Sequence, residues 1–419
     1  MRFTSLDQWL SWQETLHPST IELGLERVGR VLDTMGLRHP RHAVITVAGT
    51  NGKGSSVAML DAILRAAGYR VGTYTSPHLL RYNERIRING EMIDDQSLCA
   101  AFERVDQARG DTSITYFEFG TLAAFDLFAR ANLDCAILEV GMGGRLDAVN
   151  LLDADVALVA TIDIDHAEWL GPDRETIARE KAGIFRTGRP AVCSDPNPPA
   201  SLIGEAARIG TRLHRLGFEY DFRRRDHEWE WWSEQSRRDA LPLPALRGAS
   251  QLENASGVLM TLALISERLP VNQQQVRQGL LDVRLAGRFQ VIPGAVTEIW
   301  DVAHNPESAE ELAQTLRLMP CRGRTRAVIG MLADKDIDTV VRHLVPVIEA
   351  WYPATLSGPR GAQAARLIAA LEHNGVHDVR GYDNVAAAHA AALNDAKPDD
   401  RVVTFGSFFT VAEVMGRHV

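Results

Sequence analysis

The segment that most constrains this chain spans residues 43–67. Ala43-Val-Ile-Thr-Val-Ala48 is a short apolar run rich in β-branched residues and closed by glycine, the pattern of a buried strand. Gly49-Thr-Asn-Gly-Lys-Gly-Ser55 follows, and Val57-Ala-Met-Leu-Asp-Ala-Ile-Leu-Arg-Ala-Ala67 then has the composition and apolar spacing of a helix, with Gly68 placed to end it. Strand, glycine-rich turn and helix in direct succession gather free backbone N–H groups and the positive end of a helix dipole at one point, which favours phosphate. The turn reads as a variant nucleoside triphosphate loop. Against G-x-x-x-x-G-K-[ST] the first glycine is missing from its place and Gly54 stands where the hydroxyl residue belongs, so Ser55 and Ser56 are displaced and a metal needs ligands from elsewhere.

Lysine usage sharpens the reading. Of 45 basic residues only Lys53, Lys181, Lys335 and Lys397 are lysine. In a chain that writes arginine by default, a lysine marks a place suited to a compact ammonium, or to an amine that can lose its charge.

The rest of the chain repeats the strand–helix alternation. Val71–Thr75, Cys135–Val140 and Val156–Ile162 are expected as strands, with helices over Leu6–Leu16, Leu23–Met35, Gln96–Ala108 and Phe117–Ala131. Such alternation implies a mainly parallel sheet covered on both faces. From Gly217 aromatic and charged residues alternate through Trp232, which predicts a small antiparallel strand set, and a helix is expected over Leu252–Leu269. After Ala286-Gly-Arg-Phe-Gln-Val-Ile-Pro-Gly294, suited to a linker and hairpin, a second α/β series begins. Its strands are expected at Glu298–Val302, Ala327–Met331, Ala350–Thr355 and Val402–Phe405, and its helices at Ser308–Leu318, Ile337–Ile348 and Ala364–His373. The expected architecture is α/β throughout: an N-terminal P-loop-type domain over 1–285 and a smaller Rossmann-like domain over 286–419.

Composition excludes several classes. The balance of 45 Lys+Arg against 54 Asp+Glu, net −9, gives no general electrostatic grip on nucleic acid or anionic lipid. The four cysteines lie far apart without metal-ligand spacing, as expected in a reducing cytoplasm. No run approaches the roughly 18 apolar residues of a membrane span, and the N-terminus breaks its apolar residues with Asp7 and Gln8, so secretion is disfavoured.

Metal ligands are to be sought at the C-terminal ends of the parallel strands, where α/β sheets place their sites. Ser76, Glu139 and His166 stand there and offer a hydroxyl, a carboxylate and an imidazole for Mg²⁺ beside phosphate oxygens. Lys181, in Arg179-Glu-Lys-Ala-Gly-Ile-Phe185, lies near the end of a helix beyond His166. Its plain reading is a surface lysine; its sharper one is an amine that adds CO₂ and becomes a carbamate.

The motifs together resemble one known family, the dihydrofolate synthase/folylpolyglutamate synthases of the Mur-ligase superfamily. The resemblance rests on Ile21-Glu-Leu-Gly-Leu-Glu-Arg-Val28, Gly49–Ser55, Thr75-Ser-Pro-His-Leu79, Tyr116-Phe-Glu-Phe119, Glu139-Val-Gly-Met-Gly-Gly-Arg-Leu-Asp147, Asp163-Ile-Asp-His166, Glu180-Lys-Ala-Gly-Ile184, Gly287-Arg-Phe289, Asp301-Val-Ala-His-Asn-Pro306 and Gly406-Ser-Phe408. It implies that Gly49, Thr50, Asn51, Gly52, Lys53, Gly54 and Ser55 bind ATP phosphates, with Asn254, Arg288, Asp301 and His304 also at the nucleotide. It implies that Ser76, Glu139 and His166 hold the metal, that Lys181 is carbamylated, and that Lys53, Lys181 and His166 serve catalysis. Gly24, Leu25, Glu26, Thr115, Tyr116, Phe117, Glu118, Leu146, Asp147 and Ala148 match the pterin-side pocket.

The implied activity is ATP-dependent addition of L-glutamate to dihydropteroate and to reduced folates through an acyl phosphate, by a cytoplasmic monomer using Mg²⁺, with room for a monovalent cation such as K⁺. No nucleic-acid or membrane partner is expected. The rival readings are a monofunctional folylpolyglutamate synthase, a muramyl-peptide ligase and a non-catalytic ATP-binding switch. Only 48 residues precede Gly49, fewer than the roughly 100 of a typical domain, which leaves no room for a muramyl ligase's UDP-binding domain. Two positions depart from the family pattern: Val302 replaces glycine and Phe409 replaces histidine.

Overall fold

The computed structural model describes residues 2–19 and 21–417; Met1, Thr20, His418 and Val419 lie outside the described residues. The chain forms two compact units. The first comprises the chain up to His78 together with Tyr82–Ala245 and Leu252–Val283; the second comprises Leu79–Arg81, Leu246–Gln251 and the chain from Arg284.

The first unit is built on eight strands: β1 (Ala43–Ala48), β2 (Val71–Tyr74), β3 (Ile86–Ile88), β4 (Glu91–Met92), β5 (Cys135–Glu139), β6 (Val156–Val159), β7 (Pro190–Cys193) and β8 (Arg212–Arg215). They lie in the order β4-β3-β2-β5-β1-β6-β7-β8. From β2 to β8 every neighbour is parallel, with Val47 opposite Glu139 and Ala48 opposite Val159. The expected parallel sheet is present, but its β3–β4 edge is an antiparallel hairpin. Asn89 (φ +54) and Gly90 (φ +85) both take the left-handed conformation that a two-residue hairpin turn needs.

Every residue of β1 and β5 is buried, as in strands covered on both faces. On one face Val44, Ala136 and Leu138 join Trp9, Leu32, Phe102, Phe119 and Phe128 from the surrounding helices. Helix Lys53–Ala66 packs on β1, β2 and β5, and helix Gln273–Asp282 packs on it in turn. There a Cβ at Gly279 would stand 2.5 Å from Ile63 Cα, so glycine permits the close helix–helix approach.

A separate antiparallel sheet, ordered β11-β10-β9, consists of β9 (Tyr220–Arg224), β10 (Glu228–Ser233) and β11 (Arg237–Pro242). This is the strand set expected from the aromatic–charged alternation.

The second unit contains β12 (Gln290–Ile292), β13 (Thr297–Trp300), β14 (Thr325–Ile329), β15 (Ala350–Pro353) and β16 (Arg401–Phe405), ordered β12-β13-β16-β14-β15. All but β12 are parallel. Alternation along β16 sends Val403 and Phe405 toward Leu312, Val341 and Leu367, and Val402 toward Ala388, Val411 and Val414 on the other side. Helix Ile337–Leu344 stops short of the expected Ile348 because Pro346 turns Val345–Val347 into a 3₁₀ turn.

Two boundaries near the glycine loop differ from expectation. The helix expected from Val57 starts at Lys53, so the end of the glycine loop forms its first turn, and Gly68 (φ +88) follows the C-cap Ala67. The strand expected to run through Ile162 ends at Val159, because the next residues leave the sheet to hold that loop.

Candidate active site

The loop is braced on one side by the segment after β6. The Thr50 backbone N–H donates to the Thr161 carbonyl at 2.7 Å. The Thr50 hydroxyl donates to the Asp163 carbonyl at 2.8 Å and accepts the Asp163 N–H at 2.9 Å. Gly52 (φ +82) lies against Asn254, so that a Cβ there would be 2.4 Å from Asn254 Oδ1. Asn254 is 1% exposed, and its Nδ2 is a buried donor without a hydrogen-bond partner among the described residues. Lys53 Nζ donates to the carbonyls of Gly49 and Thr50, both at 2.9 Å, which folds the ammonium over the loop. The Ser56 hydroxyl is committed to the Gly52 carbonyl at 2.9 Å, while Ser55 is buried in the first helical turn.

Along the sheet order β2-β5-β1-β6, Ser76 follows β2, Glu139 ends β5, the loop follows β1 and His166 follows β6. All four stand at the C-terminal ends of neighbouring parallel strands. The Ser76 backbone N–H donates to Glu139 Oε2 at 3.4 Å, so these two are brought together. His166 lies two strands from Glu139, in a left-handed conformation (φ +52), with Nε2 3.9 Å from Asp165 Oδ2. The hydroxyl and carboxylate oxygens suit a hard divalent cation, and the imidazole adds a nitrogen donor of borderline softness. Among the described residues no group of three or more His, Cys, Asp or Glu side chains could hold an ion unaided. An ion here needs phosphate or water oxygens to complete its shell.

Lys181 is not a surface residue: it is 2% exposed, at the end of helix Arg174–Ala182. That helix end meets the loop after Glu139. The Arg145 N–H donates to the Glu180 carbonyl at 2.8 Å, and a Cβ on Gly144 would stand 3.1 Å from the Lys181 carbonyl oxygen.

On the segment expected to face the pterin, Gly141 lies between the Phe117 ring and Asp147, whose Oδ2 would be 3.3 Å from a Cβ there. Asp147 caps the 3₁₀ turn Ala148–Leu151 and accepts the N–H groups of Met142 at 2.9 Å and Val149 at 3.0 Å. Burial pushes its carboxyl up to about 6, opposed by those N–H groups and, to a smaller extent, by the Lys53 charge. Thr115 caps helix Tyr116–Arg130, and the Glu118 carboxylate returns to the Thr115 N–H at 2.7 Å. Leu25 and Leu146 are half-buried, Glu26 is exposed, and a side chain at Gly24 would meet nothing within 4 Å.

Sequence reasoning missed two cations here. Arg27 donates through Nη2 to both Glu118 oxygens, at 2.9 and 3.1 Å, across 91 residues of sequence. Arg85 lies over the Tyr82 and Tyr116 rings at 5.1 and 5.7 Å and donates to His78 Nδ1 at 2.9 Å. Burial, then the Arg85 charge, hold His78 down at about 4. The clue to Arg27 was its place in the Ile21–Val28 motif; its partner is invisible without the fold.

In the second unit, Asp301 accepts the N–H groups of Phe289 and Ala303, both at 2.7 Å. Burial pushes its carboxyl up to about 6 against the pull of Arg288 and those donors. Arg288 lies 5.2 Å from the Phe408 ring, and His304 Nδ1 is 2.8 Å from the Val302 carbonyl. Val302 is not among the positive-φ residues, so that turn does not require glycine; Phe409 is 63% exposed.

Comparison with known proteins places these features in a family. Residues 47–236 match the Mur ligase middle domain and residues 287–408 the Mur ligase glutamate ligase domain. The dihydrofolate synthase/folylpolyglutamate synthase of Escherichia coli (strain K12) is 48% identical over 98% of this chain and 94% of its own length. An Escherichia coli FolC structure in complex with DHPP and ADP superposes with a TM-score of 0.94 at 47% identity, covering 99% of this chain and 98% of that one. A bifunctional folylpolyglutamate synthase/dihydrofolate synthase with Mn, AMPPNP and L-glutamate bound gives 0.92 at 45% identity, covering 99% and 98%. A braced glycine loop, polar side chains at the flanking strand ends and whole-length similarity converge on one statement: the chain belongs to the bacterial bifunctional dihydrofolate synthase/folylpolyglutamate synthases, ATP-dependent ligases built from Mur ligase domains.

Proposed function

We propose that this chain joins the amine of L-glutamate to the carboxylate of dihydropteroate and of reduced folates, with cleavage of ATP to ADP and phosphate. The observation that carries the reading is the placement of Ser76, Glu139, the glycine loop bearing Lys53, and His166 after the neighbouring parallel strands β2, β5, β1 and β6, in a chain 48% identical to a ligase of this class over nearly its whole length. That arrangement supports a phosphate-binding loop with metal-ligating side chains beside it at one end of one sheet.

A carboxylate does not condense with an amine unaided. Its oxygen attacks the γ-phosphorus, ADP leaves, and the acyl phosphate then receives the glutamate amine; the tetrahedral adduct expels phosphate and the amine loses its proton. Lys53 is assigned to the charge on the transferring phosphoryl group, and the backbone of Gly49–Ser55 to the remaining phosphate oxygens. Asn254 Nδ2, a buried donor beside Gly52, is assigned to the nucleotide, as are Arg288, Asp301 and His304 by family resemblance. Ser76, Glu139 and His166 are the residues to hold Mg²⁺, which when bound neutralises phosphate charge. Lys181 is assigned a carbamate: the neutral amine adds CO₂, loses a proton and becomes an anion that supports the metal end of the site.

Thr115–Glu118 and Leu146–Ala148 are assigned to the pterin, with Gly24–Glu26 beside them. K⁺ dependence, a monomeric state and a cytoplasmic location complete the proposal; no helix among the described residues is long and apolar enough to cross a membrane. The test is ADP release with ATP, Mg²⁺ and L-glutamate, run in parallel with dihydropteroate and with tetrahydrofolate. Both acceptors should stimulate release and yield glutamylated products; stimulation by neither would refute the assignment.

A further inference from the structure

A second cleft in the first unit, of about 800 Å³, is used by none of these roles. It is walled by β8, the start of β9, the β10–β11 turn and the C-terminal part of helix Gln251–Leu264. Asn254, at the phosphate loop, lies near the other end of that helix. The lining residues Met260 to Leu264 are about 9–15 Å farther along its axis, at roughly 1.5 Å per residue.

Among the described residues, three polar groups in this cleft lack their natural complements. Arg238 is half-buried, donates to the Val271 carbonyl at 3.0 Å and has no carboxylate partner. Arg212, exposed at the mouth, has none either. His214 Nε2 is buried without a hydrogen-bond partner. Of the two lining carboxylates, Glu219 is already compensated by Arg215, which donates to it through Nε at 3.2 Å and Nη2 at 2.8 Å. Glu234 is exposed in the β10–β11 turn. A half-buried guanidinium without a counter-ion carries an unbalanced desolvation cost that a carboxylate relieves. Burial, then Arg212, lower the His214 pKa, against the opposite pull of Glu219 and Glu234, so the imidazole is neutral at pH 7 and able to donate.

The remaining walls mix polar side chains, among them Ser233, Gln235, Ser236 and Ser266, with the rings of Trp232 and Phe218. Trp232 is half-buried, and Phe218 is 68% exposed with the Arg215 guanidinium 4.3 Å from its ring centroid. Two guanidinium groups and two aromatic rings lining one cleft suit a ligand that is both planar and anionic. We propose that this cleft binds a small aromatic dicarboxylate, its carboxylates held by Arg212 and Arg238 with His214 donating, and its ring against Trp232 and Phe218.

The test is calorimetric titration of the full chain, saturated with AMPPNP and Mg²⁺, with benzene-1,3-dicarboxylate. Uncharged benzene-1,3-dicarboxamide and inorganic phosphate are the comparison probes. The dicarboxylate should bind one per chain and the other two at least about tenfold more weakly, one charge-assisted contact being worth that much. Arg238→Gln and Arg212→Gln should each weaken it by about tenfold while leaving ADP release with saturating substrates unchanged. Among the described residues Arg212 makes no side-chain hydrogen bond or ion pair, so its variant reports even if Arg238→Gln fails to fold. No binding, equal binding of phosphate, or an unaltered affinity in Arg212→Gln would each overturn the proposal.

Discussion

Asn254 Oδ1 occupies the space that a Cβ on Gly52 would need, 2.4 Å from the ideal position. The loop and the helix carrying Asn254 are therefore fitted to one another around a glycine in a left-handed conformation. Gly52→Ala adds both that clash and the roughly 1–2 kcal/mol cost of an L-residue there. We expect ATP-dependent ligation to fall by about a hundredfold or more, since misplacing a reacting group by an ångström has that effect. Steady-state ADP release in Gly52→Ala measures it, and a variant within threefold of the parent refutes the assigned fit.

Lys53→Ala removes a charge folded over the loop rather than a core contact. Turnover should drop by about 10²–10³, the worth of one charge-stabilising group, while the melting temperature stays near that of the parent. Near-normal turnover would remove Lys53 from the phosphoryl-transfer step.

Lys181→Ala should lower kcat by about ten- to hundredfold, in the range for residues that support a metal site, with partial recovery on adding a small carboxylic acid. With ¹³C-bicarbonate the parent should show a carbamate carbon signal that the variant lacks. An unmodified, cationic Lys181 in a high-resolution structure of the active, bicarbonate-equilibrated enzyme would refute the modification.

Asp301 gives a pH signature. Its folded carboxyl keeps its proton up to about pH 6, whereas the ordinary value is 3.8. The stability this contributes is complete below pH 3.8 and is lost as pH rises through 6. Asp301→Asn lacks a proton to lose. The parent's stability relative to the variant should therefore decline by about 1–1.5 kcal/mol between pH 5 and 7.5. Urea unfolding at the two pH values measures this, and a pH-independent difference would show that Asp301 is not perturbed.

What could be read without coordinates was whatever local pattern dictates: the strand–loop–helix unit, the alternation along β16 and helices such as Leu6–Leu16. The β3–β4 hairpin was written in Asn89-Gly90 but flanked by strands of only three and two residues, too short for periodicity to register. Apolar Val156–Ile162 looked like one strand because composition does not reveal that Thr161 and Asp163 leave the sheet to hold Thr50. Helix Gln273–Asp282 escaped notice behind its run of glutamines, although its role depends on Gly279 meeting Ile63. Arg27 and Glu118 make a contact that no local rule can supply, and the burial of Lys181 is likewise a property of the fold.

That burial gives the chain an unusual chemical readout. Of its four lysines, Lys181 is 2% exposed and Lys335 9%, Lys53 is half-buried on the phosphate loop, and Lys397 is exposed. An amine-acylating reagent should thus meet one freely accessible ε-amine, one whose reactivity tracks nucleotide occupancy if Lys53 has its proposed role, and two that report loss of native packing. Peptide mapping after brief acylation would follow ligand binding and unfolding in the same sample, without an engineered label.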